Sequence, residues 1–394
     1  MFSTRVPADL SQNRLARAIE AMRASGQVYV DLTESNPTRA GFSYPHDLLA
    51  PLAQPAALRY APAPFGLPDA RAAVADDYRR QGLDVAADRI VLSASTSESY
   101  ALLFKLLANP GDEVLIPRPS YPLFDHLLRL EGVVPRTYDL DYHGVWSIDM
   151  ASVEQAITSR TRSIVVVAPN NPTGSFVTPD ELDRLSGLAV ASGLAIIADE
   201  VFADYELEPG AAGRAGRVAA SRRALSFSLG GLSKSIGLPQ AKLGWMAAAG
   251  PTPLVTEALR RLEIICDTYL SVSTPVQLGA RIMLERGAPI RRAIAQRVRG
   301  NYATLQSAAA DVPACRVLRS EAGWSGIVQV PAFESEEDLA IRLLTVEGVL
   351  THPGYFFDFP HEAFVIVSLL PEPEAFADGV CRLLRHFACT VPRK

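Results

Sequence analysis

Lysine is scarce in this chain, and arginine takes its place almost everywhere. Of the 38 basic side chains only four are lysines, namely Lys105, Lys234, Lys242 and Lys394. Arginine has a pKa above ~12, so it keeps its proton and cannot attack carbon as a nucleophile. A chain that otherwise prefers arginine is expected to retain lysine where a reactive amine is needed. Two of the four, Lys234 and Lys242, fall in one short segment.

Cysteine is also rare, and its spacing argues against a metal site. The four cysteines, Cys266, Cys315, Cys381 and Cys389, include no CxxC pair. Scattered cysteines of this kind are typical of free thiols in a reducing compartment. We therefore expect no structural metal and no disulfide framework.

The chain lacks long hydrophobic runs and any excess of positive charge. No apolar stretch approaches the ~20 residues of a membrane span, and the N-terminus has no basic-then-apolar signal pattern. The net charge of -5 argues against a nucleic-acid surface. With 48% hydrophobic and 21% charged residues the composition is that of a globular protein. We expect a cytoplasmic protein that binds neither membranes nor nucleic acids.

Short apolar runs alternate with amphipathic stretches, which is the pattern of an α/β fold. Runs rich in β-branched residues predict buried parallel strands, and they lie at residues 89–93, 113–117, 163–168, 194–198 and 224–228. Residues 179–192 are predicted to form a helix that begins at Thr178 as N-cap and ends at Gly193.

At 394 residues the chain is too long for one simple core, so two packed units are expected. We predict a large domain at residues 46–275, with a mostly parallel sheet of the seven-stranded type sandwiched by helices. A smaller α+β domain is placed at residues 276–394, beginning with a single long helix at 276–309. Residues 1–45 are expected to pack back onto this small domain.

Lys234 is the first candidate functional residue. It follows a predicted strand and stands beside the small residues Gly230, Gly231 and Ser233. An amine in such surroundings is typical of a lysine that forms a Schiff base with pyridoxal phosphate.

Asp199 directly follows the predicted strand 194–198. The carboxyl end of a buried strand is where open α/β sheets bind ligands. There, Asp199 can pair with a pyridinium nitrogen and keep it protonated. Alternatively it is an acid that caps a turn.

Three other loops after strands carry weaker signals. Asn171, in residues 169–174, can donate its amide to a phenolate oxygen, or can simply belong to a turn. Ser95 and Thr96 begin a predicted helix, where backbone N–H groups and hydroxyls can hold a phosphate, and Ser95 can equally form a capping box with Glu98. Tyr121 can stack on a flat ring or pack in the core.

Taken in order, these segments resemble the class I/II aminotransferases, pyridoxal-phosphate enzymes of fold type I. The resemblance extends from about residue 28 to the C-terminus. It is carried by five motifs, which are Tyr60 with Gly66-Leu67-Pro68, Pro119-Ser120-Tyr121-Pro122, Asn170-Asn171-Pro172-Thr173-Gly174, Asp199-Glu200-Val201, and Ser233-Lys234 with Leu243-Gly244.

The resemblance implies a cofactor, a set of residue roles and an assembly. Lys234 would hold pyridoxal phosphate as a Schiff base and shuttle the proton through a quinonoid intermediate. Tyr60 would reach the phosphate of a neighbouring subunit, which implies a homodimer with shared active sites. The remaining cofactor contacts implied are Asp199 at the ring nitrogen, Asn171 at the ring hydroxyl, Tyr121 on the ring face, and Ser95, Thr96, Ser233 and Lys242 at the phosphate.

Four positions depart from the family pattern. Phe202 stands where relatives have a tyrosine, and Gly231 stands where many have a serine. Lys242 replaces an arginine, which keeps the charge but loses the bidentate fork. Ile366 stands where relatives place the arginine that binds the substrate α-carboxylate.

An isoleucine cannot bind a carboxylate, so another group must do so or the substrate has none there. Asn36, Arg39 and Arg118 are the candidates for substrate binding. The leading function is amino transfer between an amino acid and a 2-oxo acid. The same apparatus can serve β- or γ-elimination or a cyclisation. A non-enzymatic, pyridoxal-phosphate-binding regulator would need a DNA-binding domain, for which residues 1–30 are too short and not basic enough.

Overall fold

The computed structural model describes residues 1–390, with side chains up to residue 388. Lys394 and the side chain of Cys389 therefore lie outside the described residues, whereas Cys266, Cys315 and Cys381 are free thiols. No helix among the described residues is long and apolar enough to cross a membrane.

Fourteen strands are present in the described chain, and they are β1 (Val30–Asp31), β2 (Ile90–Ser93), β3 (Glu113–Arg118), β4 (Val134–Tyr142), β5 (Trp146–Ile148), β6 (Thr161–Val167), β7 (Ala195–Asp199), β8 (Ser226–Gly231), β9 (Gly244–Ala249), β10 (Arg316–Leu318), β11 (Ser325–Gln329), β12 (Val349–Leu350), β13 (His352–Pro353) and β14 (Phe364–Ser368).

The α-helices of the described residues are α1 (Arg14–Ala24), α2 (Pro68–Arg80), α3 (Thr96–Leu107), α4 (Phe124–Leu130), α5 (Met150–Ala156), α6 (Pro179–Ser192), α7 (Leu232–Ser235), α8 (Thr252–Tyr269), α9 (Thr274–Arg286), α10 (Ala288–Ala310), α11 (Glu336–Arg342) and α12 (Pro373–Thr390). Short 3-10 segments lie at Ala50–Ala53, Pro55–Leu58, Ala87–Arg89, Ala212–Arg214, Val218–Ala220, Pro239–Ala241 and Gly354–Phe357, and Leu343–Glu347 is a π-helical turn.

The large sheet has the strand order β2-β9-β8-β7-β6-β3-β4-β5. Its central strands β4, β3, β6, β7 and β8 run parallel, so the predicted mostly parallel sheet is confirmed. The sheet has eight strands rather than the seven expected. The extra strand is β5, which folds back through Gly144 and pairs antiparallel with the last residues of the long strand β4.

Both faces of this sheet are buried. Ile164 and Val166 of β6 point into a cluster with α5 and α6, whereas Val165 and Val167 point into the cluster with α3, α4 and α8. This alternation follows from the two-residue period of a strand. A continuous β-branched run is therefore what a strand covered by helices on both sides requires.

The helix predicted between β6 and β7 is confirmed with both of its ends. The Thr178 hydroxyl accepts from the Glu181 N–H at 3.2 Å, and the Glu181 carboxylate accepts from the Thr178 N–H at 2.8 Å. Gly193 ends α6 in the left-handed conformation, with φ 67°.

The second part of the chain is built on a four-stranded antiparallel sheet, in the order β10-β11-β14-β13. Strand β1 pairs parallel with β12, so the N-terminal residues join this part of the structure. The single long helix predicted at 276–309 is wrong, because Gly287 separates α9 from α10. Pro289 in the first turn of α10 has no backbone N–H to continue the earlier helix.

Candidate active site

A cavity of about 310 Å³ lies where the carboxyl ends of the central strands of the large sheet meet the antiparallel sheet. From the large sheet it receives Asp199 at the end of β7 and Lys234 from α7 after β8. From the antiparallel sheet it receives Ser325 at the start of β11 and Ile366 of β14. The cavity therefore joins residues that are far apart in the sequence.

Lys234 occupies an apolar part of this cavity. Its Nζ lies 4.9 Å from the centre of the Trp324 ring and 5.5 Å from that of Phe202. Burial lowers the pKa of the Lys234 amine, and the negative charge of Asp199 partly opposes this effect. The Tyr205 hydroxyl donates to the Lys234 carbonyl oxygen and so fixes the short helix α7. The amine is thus held in place and biased toward its neutral form.

Asp199 lines the same cavity and is held by two hydrogen bonds. The Tyr100 hydroxyl donates to Oδ2 at 3.2 Å, and the Val201 N–H donates to Oδ1 at 3.2 Å. Burial raises the pKa of the Asp199 carboxyl to about 6, against the opposing effects of these hydrogen bonds and of Lys234. A carboxyl in this state exchanges a proton readily near neutral pH.

The neighbouring acid, Glu200, has a different role. It does not line the cavity but accepts from the Ser228 hydroxyl at 2.7 Å and from Arg217 Nη2 at 3.1 Å. These partners satisfy the buried carboxylate, and removing one of them would leave an unpaired charge in the interior. The two adjacent acids at the end of β7 are therefore separated into one that faces the cavity and one that faces the protein interior.

The N-terminus of α3 forms one end of the cavity. The Ser95 hydroxyl accepts from the Glu98 N–H at 3.2 Å, but the Glu98 carboxylate accepts from the Ala94 N–H rather than from that of Ser95. The predicted reciprocal capping box is therefore only half formed. No described residue forms a hydrogen bond with the other hydroxyls at this end, which belong to Thr96, Ser97 and Ser233.

The approach of β9 to this helix start requires a glycine. A Cβ on Gly244 would lie 2.8 Å from the carbonyl carbon of Ser95. Gly231, at the end of β8, lines the cavity, and a Cβ there would lie 3.2 Å from the Leu243 carbonyl oxygen. The small residue three positions before Lys234 thus allows close packing of β8 against the chain entering β9.

Asn171 and Tyr121 also line the cavity. The Ser325 hydroxyl donates to Asn171 Oδ1 at 3.3 Å, which leaves the amide N–H₂ of Asn171 without a partner among the described residues. The Tyr121 ring packs edge-on against Phe124, with ring centres 5.7 Å apart. Burial raises the pKa of the Tyr121 hydroxyl.

Two of the predicted cofactor residues lie outside the cavity of this single chain. Tyr60 is 79% exposed and lies with Tyr269 along a separate shallow groove. Lys242 is exposed, in the left-handed conformation with φ 52° after the 3-10 turn Pro239–Ala241. The adjacent Leu243 and Gly244 line the cavity, but Lys242 does not.

The three candidates for binding a substrate carboxylate do not reach the cavity either. The Arg118 guanidinium is paired with Asp139, with 3.3 Å between Nη2 and Oδ2, so its charge is already neutralised. Arg39 is exposed to solvent. Asn36 accepts from the backbone N–H and the hydroxyl of Thr38 in a local turn. Arg118 is thus engaged by Asp139, a pairing that the sequence pattern did not show.

The structure adds cavity residues that the sequence did not single out. They are Trp324 at the turn before β11, His352 of β13, and Phe356 and Phe357 in the 3-10 turn that follows. They line the same cavity as Lys234 because the antiparallel sheet meets the end of the large sheet there. No local pattern in the sequence marks them.

Comparison with known proteins agrees with this geometry. The family model for aminotransferase class I and II matches residues 44–373. Glutamate-pyruvate aminotransferase AlaA of Haemophilus influenzae is 30% identical over 386 residues, covering 94% of this chain and 93% of that protein. Alanine aminotransferase of Mycobacterium tuberculosis is 26% identical over 392 residues, covering 92% and 86%.

Among solved structures, alanine aminotransferase from Pyrococcus furiosus has a TM-score of 0.88 at 21% identity, covering 98% of this chain and 99% of that one. The likeness to this structure shows the fold, and the family match extends over most of the described chain. The chain belongs to the aminotransferase class I and II family and is a pyridoxal-phosphate-dependent enzyme that transfers amino groups.

Proposed function

We propose that Lys234 and Asp199 are the two catalytic residues of this aminotransferase, which moves an amino group between an amino acid and a 2-oxo acid. The observation that carries the proposal is their placement in one cavity. A partly buried amine with a lowered pKa and a buried carboxyl with a raised pKa face the same space. Pairs of groups whose pKa values are shifted in this way mark acid–base sites.

The cavity fits pyridoxal phosphate from one end to the other. The N-terminus of α3 and the unpartnered hydroxyls of Thr96, Ser97 and Ser233 suit the phosphate. Ser95, as the N-cap of α3, holds this helix start in place. We call the set formed by Thr96, Tyr121, Asn171, Asp199 and Lys234 the cofactor side of the cavity.

Each remaining group of the cofactor side has one proposed contact. Asp199 suits the ring nitrogen, the Asn171 amide suits the ring hydroxyl, and Tyr121 suits the ring face. The bound cofactor supplies an electron sink for the carbon next to the amino group. The protein must then supply a base for the proton on that carbon and a fixed negative charge for the ring nitrogen.

Lys234 is the proposed base. Its lowered pKa gives a larger fraction of neutral amine, which can take a proton at Nζ and return it. Trp324 and Phe202 cover the amine and limit the access of water to it. The bond from Tyr205 to the Lys234 carbonyl fixes the start of the side chain without using the amine.

Asp199 is proposed to hold the proton on the ring nitrogen. Tyr100 and Val201 orient its two oxygens from the protein side. Placing a cation next to this carboxyl would reverse much of the effect of burial on its pKa. Asp199 therefore stays ionised when it is paired.

We also propose a homodimer with shared active sites in the cytoplasm. Tyr60 and Leu58 are 79% and 91% exposed, and Tyr269 is 54% exposed on the same groove as Tyr60. Exposed aromatic and aliphatic side chains of this size support an interface with a second copy. Tyr60 would reach the phosphate end of the partner's cavity, and the free thiols Cys266 and Cys315 support a reducing location.

The lysine assignment can be tested on the purified protein. Borohydride reduction fixes the cofactor on the lysine that holds it, and peptide mapping should place it on Lys234. Lys234→Ala should abolish turnover, whereas the exposed-lysine control Lys242→Ala should still carry the label on Lys234. A label on Lys105 or Lys242 would contradict the assignment.

The reaction type has a separate readout. Amino transfer converts one amino acid to its oxo acid for each oxo acid that gains an amino group. Elimination would instead release ammonia, and cyclisation would give a product without transfer to an acceptor. Equal amounts of the two transfer products are expected, and ammonia as the main product would overturn amino transfer.

A further inference from the structure

The antiparallel sheet and its adjoining turns supply the cavity with mostly apolar side chains. Five of these residues, which we call the substrate side, are Trp324, His352, Phe356, Phe357 and Ile366, and Ser325 and Ser368 line the cavity from the same sheet. None of the described residues that line the cavity is an arginine. Besides Lys234, His352 is the only basic side chain among those lining residues.

We propose that the His352 imidazole binds the substrate carboxylate in this enzyme, at the place where relatives are expected to use an arginine. The proposal rests on the function proposed above, because it assigns the second ligand of the same cavity. The expected substrates are amino acids with one carboxylate, which accepts a hydrogen bond from a neutral donor. It also makes His352 a residue that determines specificity.

The strand register places His352 next to the departure from the family pattern. His352 of β13 lies directly opposite Ile366 of β14 in an antiparallel pair. Residues directly opposite each other project from the same face of the sheet, with Cβ atoms about 4.5–5.5 Å apart. The imidazole therefore stands beside the position from which an arginine side chain would have extended.

The Ile366 side chain takes part only in apolar packing. It is 1% exposed and belongs to an apolar cluster with Ile327, Phe357 and Phe359. Position 366 therefore offers no polar group to the substrate carboxylate. Either a neighbouring side chain binds the carboxylate, or no side chain does.

The His352 ring is available for a ligand. It packs against both Phe356 and Phe357, with ring centres 5.8 Å away in each case. No described residue forms a hydrogen bond with either of its ring nitrogens, although the residue is only partly exposed and lines the cavity. A polar ring that is fixed by packing and lacks a partner is placed to bind one.

The charge state agrees with this role. Burial lowers the pKa of His352, and the Asp31 carboxylate opposes that shift. The neutral ring offers one N–H donor, and a hydrogen bond to a carboxylate is charge-assisted. The nearby hydroxyls are less suitable, since Thr33 donates to Asp31 at 2.6 Å and Ser368 donates to the Glu34 carbonyl at 2.6 Å.

The test compares amino acids with the amines that lack only the carboxylate. The probe pairs are L-alanine with ethylamine, L-leucine with 3-methylbutylamine, and L-phenylalanine with phenethylamine. Single-turnover mixing with the loaded enzyme, followed by the cofactor absorbance, gives the apparent Kd and the rate for each compound. The ratio of the two Kd values in a pair measures recognition of the carboxylate alone.

In His352→Phe the Kd for the preferred amino acid should rise about ten- to hundredfold, the range for one hydrogen bond to a charged group. The Kd for the matching amine should change little, so the ratio of the amine Kd to the amino acid Kd should fall by the same factor. His352→Gln, which keeps a neutral donor, should retain most of the preference. Arg39→Ala and Arg118→Ala are matched controls and should keep the wild-type ratio.

The outcomes separate the two proposals. An unchanged ratio in His352→Phe, with a normal cofactor spectrum, would overturn the role of His352 and leave the aminotransferase assignment intact. Loss of the ratio in Arg39→Ala would transfer the role to that arginine. Wild-type protein that fails to load the cofactor on Lys234 would instead overturn the function on which the inference rests.

Discussion

The two sides of the cavity differ in how their polar groups are held. On the cofactor side, Asp199 receives hydrogen bonds from Tyr100 and Val201, and Asn171 receives one from Ser325. On the substrate side, the ring of His352 packs against Phe356 and Phe357 and forms no hydrogen bond with a described residue. The protein itself orients Asp199 and the Asn171 oxygen, whereas the His352 ring, like the Asn171 N–H₂ group and the Thr96 hydroxyl, is left for a ligand to satisfy.

This difference suits a reaction in which one ligand stays and the other alternates. A cofactor that remains bound can be contacted by polar groups whose positions the protein fixes beforehand. These groups then need not reorganise during the reaction. An amino acid and an oxo acid share the remaining space in turn, so a small number of adaptable donors against apolar walls is sufficient. Changes on the cofactor side should therefore alter the cofactor spectrum and kcat. Changes on the substrate side should alter apparent affinity at constant spectrum.

The strongest test of this contrast is to place a charge on the substrate side. In Ile366→Arg, a guanidinium would enter an apolar cluster without a described partner. The free energy of unfolding should fall by roughly 3 kcal/mol or more, the typical effect of an unpaired buried charge. Urea denaturation of the cofactor-free protein measures this change.

The matched control is Ile366→Met, which keeps an apolar side chain of similar volume and should change the stability by less than ~1.5 kcal/mol. If Ile366→Arg were as stable as Ile366→Met and bound carboxylates more tightly, the substrate side would be built to accept an arginine. The two sides of the cavity would then not differ in the way proposed.

The next effect concerns the cofactor side. Asp199→Ala removes the charge proposed to hold the ring-nitrogen proton, and kcat should fall by about 10²–10³-fold, as for loss of one preorganised electrostatic group. Tyr100→Phe keeps the carboxylate and removes one hydrogen bond to it, so its effect should be about tenfold or less. Steady-state kinetics measures both. Equal losses in the two variants would indicate that the Tyr100 contact, rather than the charge, dominates.

Much of the cofactor side could be predicted from the sequence because its residues follow buried strands directly. The β-branched run at 163–168 and the run at 194–198 located β6 and β7, and the ends of these strands located Asn171 and Asp199. Parallel strands end at a common edge, so a linear pattern was sufficient to bring these residues together.

The substrate side could not be predicted in this way. Trp324 precedes β11 and His352 lies in the two-residue strand β13, and only the packing of the two sheets brings them into the same cavity as Lys234. The sequence also could not show that Arg118 is paired with Asp139, because β3 and β4 had to be aligned first. The break at Gly287 was missed because the apolar periodicity continues across it.

A third prediction uses the buried acid in the cofactor-free protein. Burial raises the pKa of Asp199 to about 6, while the unfolded value is near ~3.9. The folded state then holds more protons than the unfolded state between these values. The stability contributed by the neutral carboxyl is therefore present below about pH 4 and is lost as the pH rises through about 6, by about 3 kcal/mol in total.

Asp199→Asn cannot ionise, so at pH 7 the cofactor-free variant should be more stable than cofactor-free wild type by up to about 3 kcal/mol. Near pH 4 the two should be equal. Urea denaturation at pH 4, 5.5 and 7 measures the difference, and the exposed pair of Asp125 with Arg129 supplies the control Asp125→Asn, with an effect under ~1 kcal/mol. A constant difference across this range would show that ionisation of Asp199 is not its cause.

The smallest expected effect is spectroscopic and concerns Phe202. This ring lies 5.5 Å from Lys234 Nζ and packs edge-on against Trp324, with ring centres 5.2 Å apart. A phenylalanine cannot donate a hydrogen bond to the ring oxygen of the cofactor, which leaves Asn171 as its proposed donor. With one fewer donor the oxygen is more basic and holds the proton shared with Lys234 more tightly. Phe202→Tyr should therefore lower the pKa at which the bound cofactor changes its absorbance.

A shift of about one unit would correspond to a single added hydrogen bond of ~1.4 kcal/mol. Phe357→Tyr is the matched control, because it adds the same hydroxyl on the substrate side and should leave the titration unchanged. Absorbance titration of wild type and both variants gives the answer directly. An equal or higher pKa in Phe202→Tyr would show that the missing hydroxyl at position 202 does not set the pKa of the bound cofactor. An equal shift in both variants would mean that a hydroxyl on either side of the cavity lowers the pKa of the bound cofactor. The cofactor side and the substrate side would then not differ in their electrostatic effect on the cofactor.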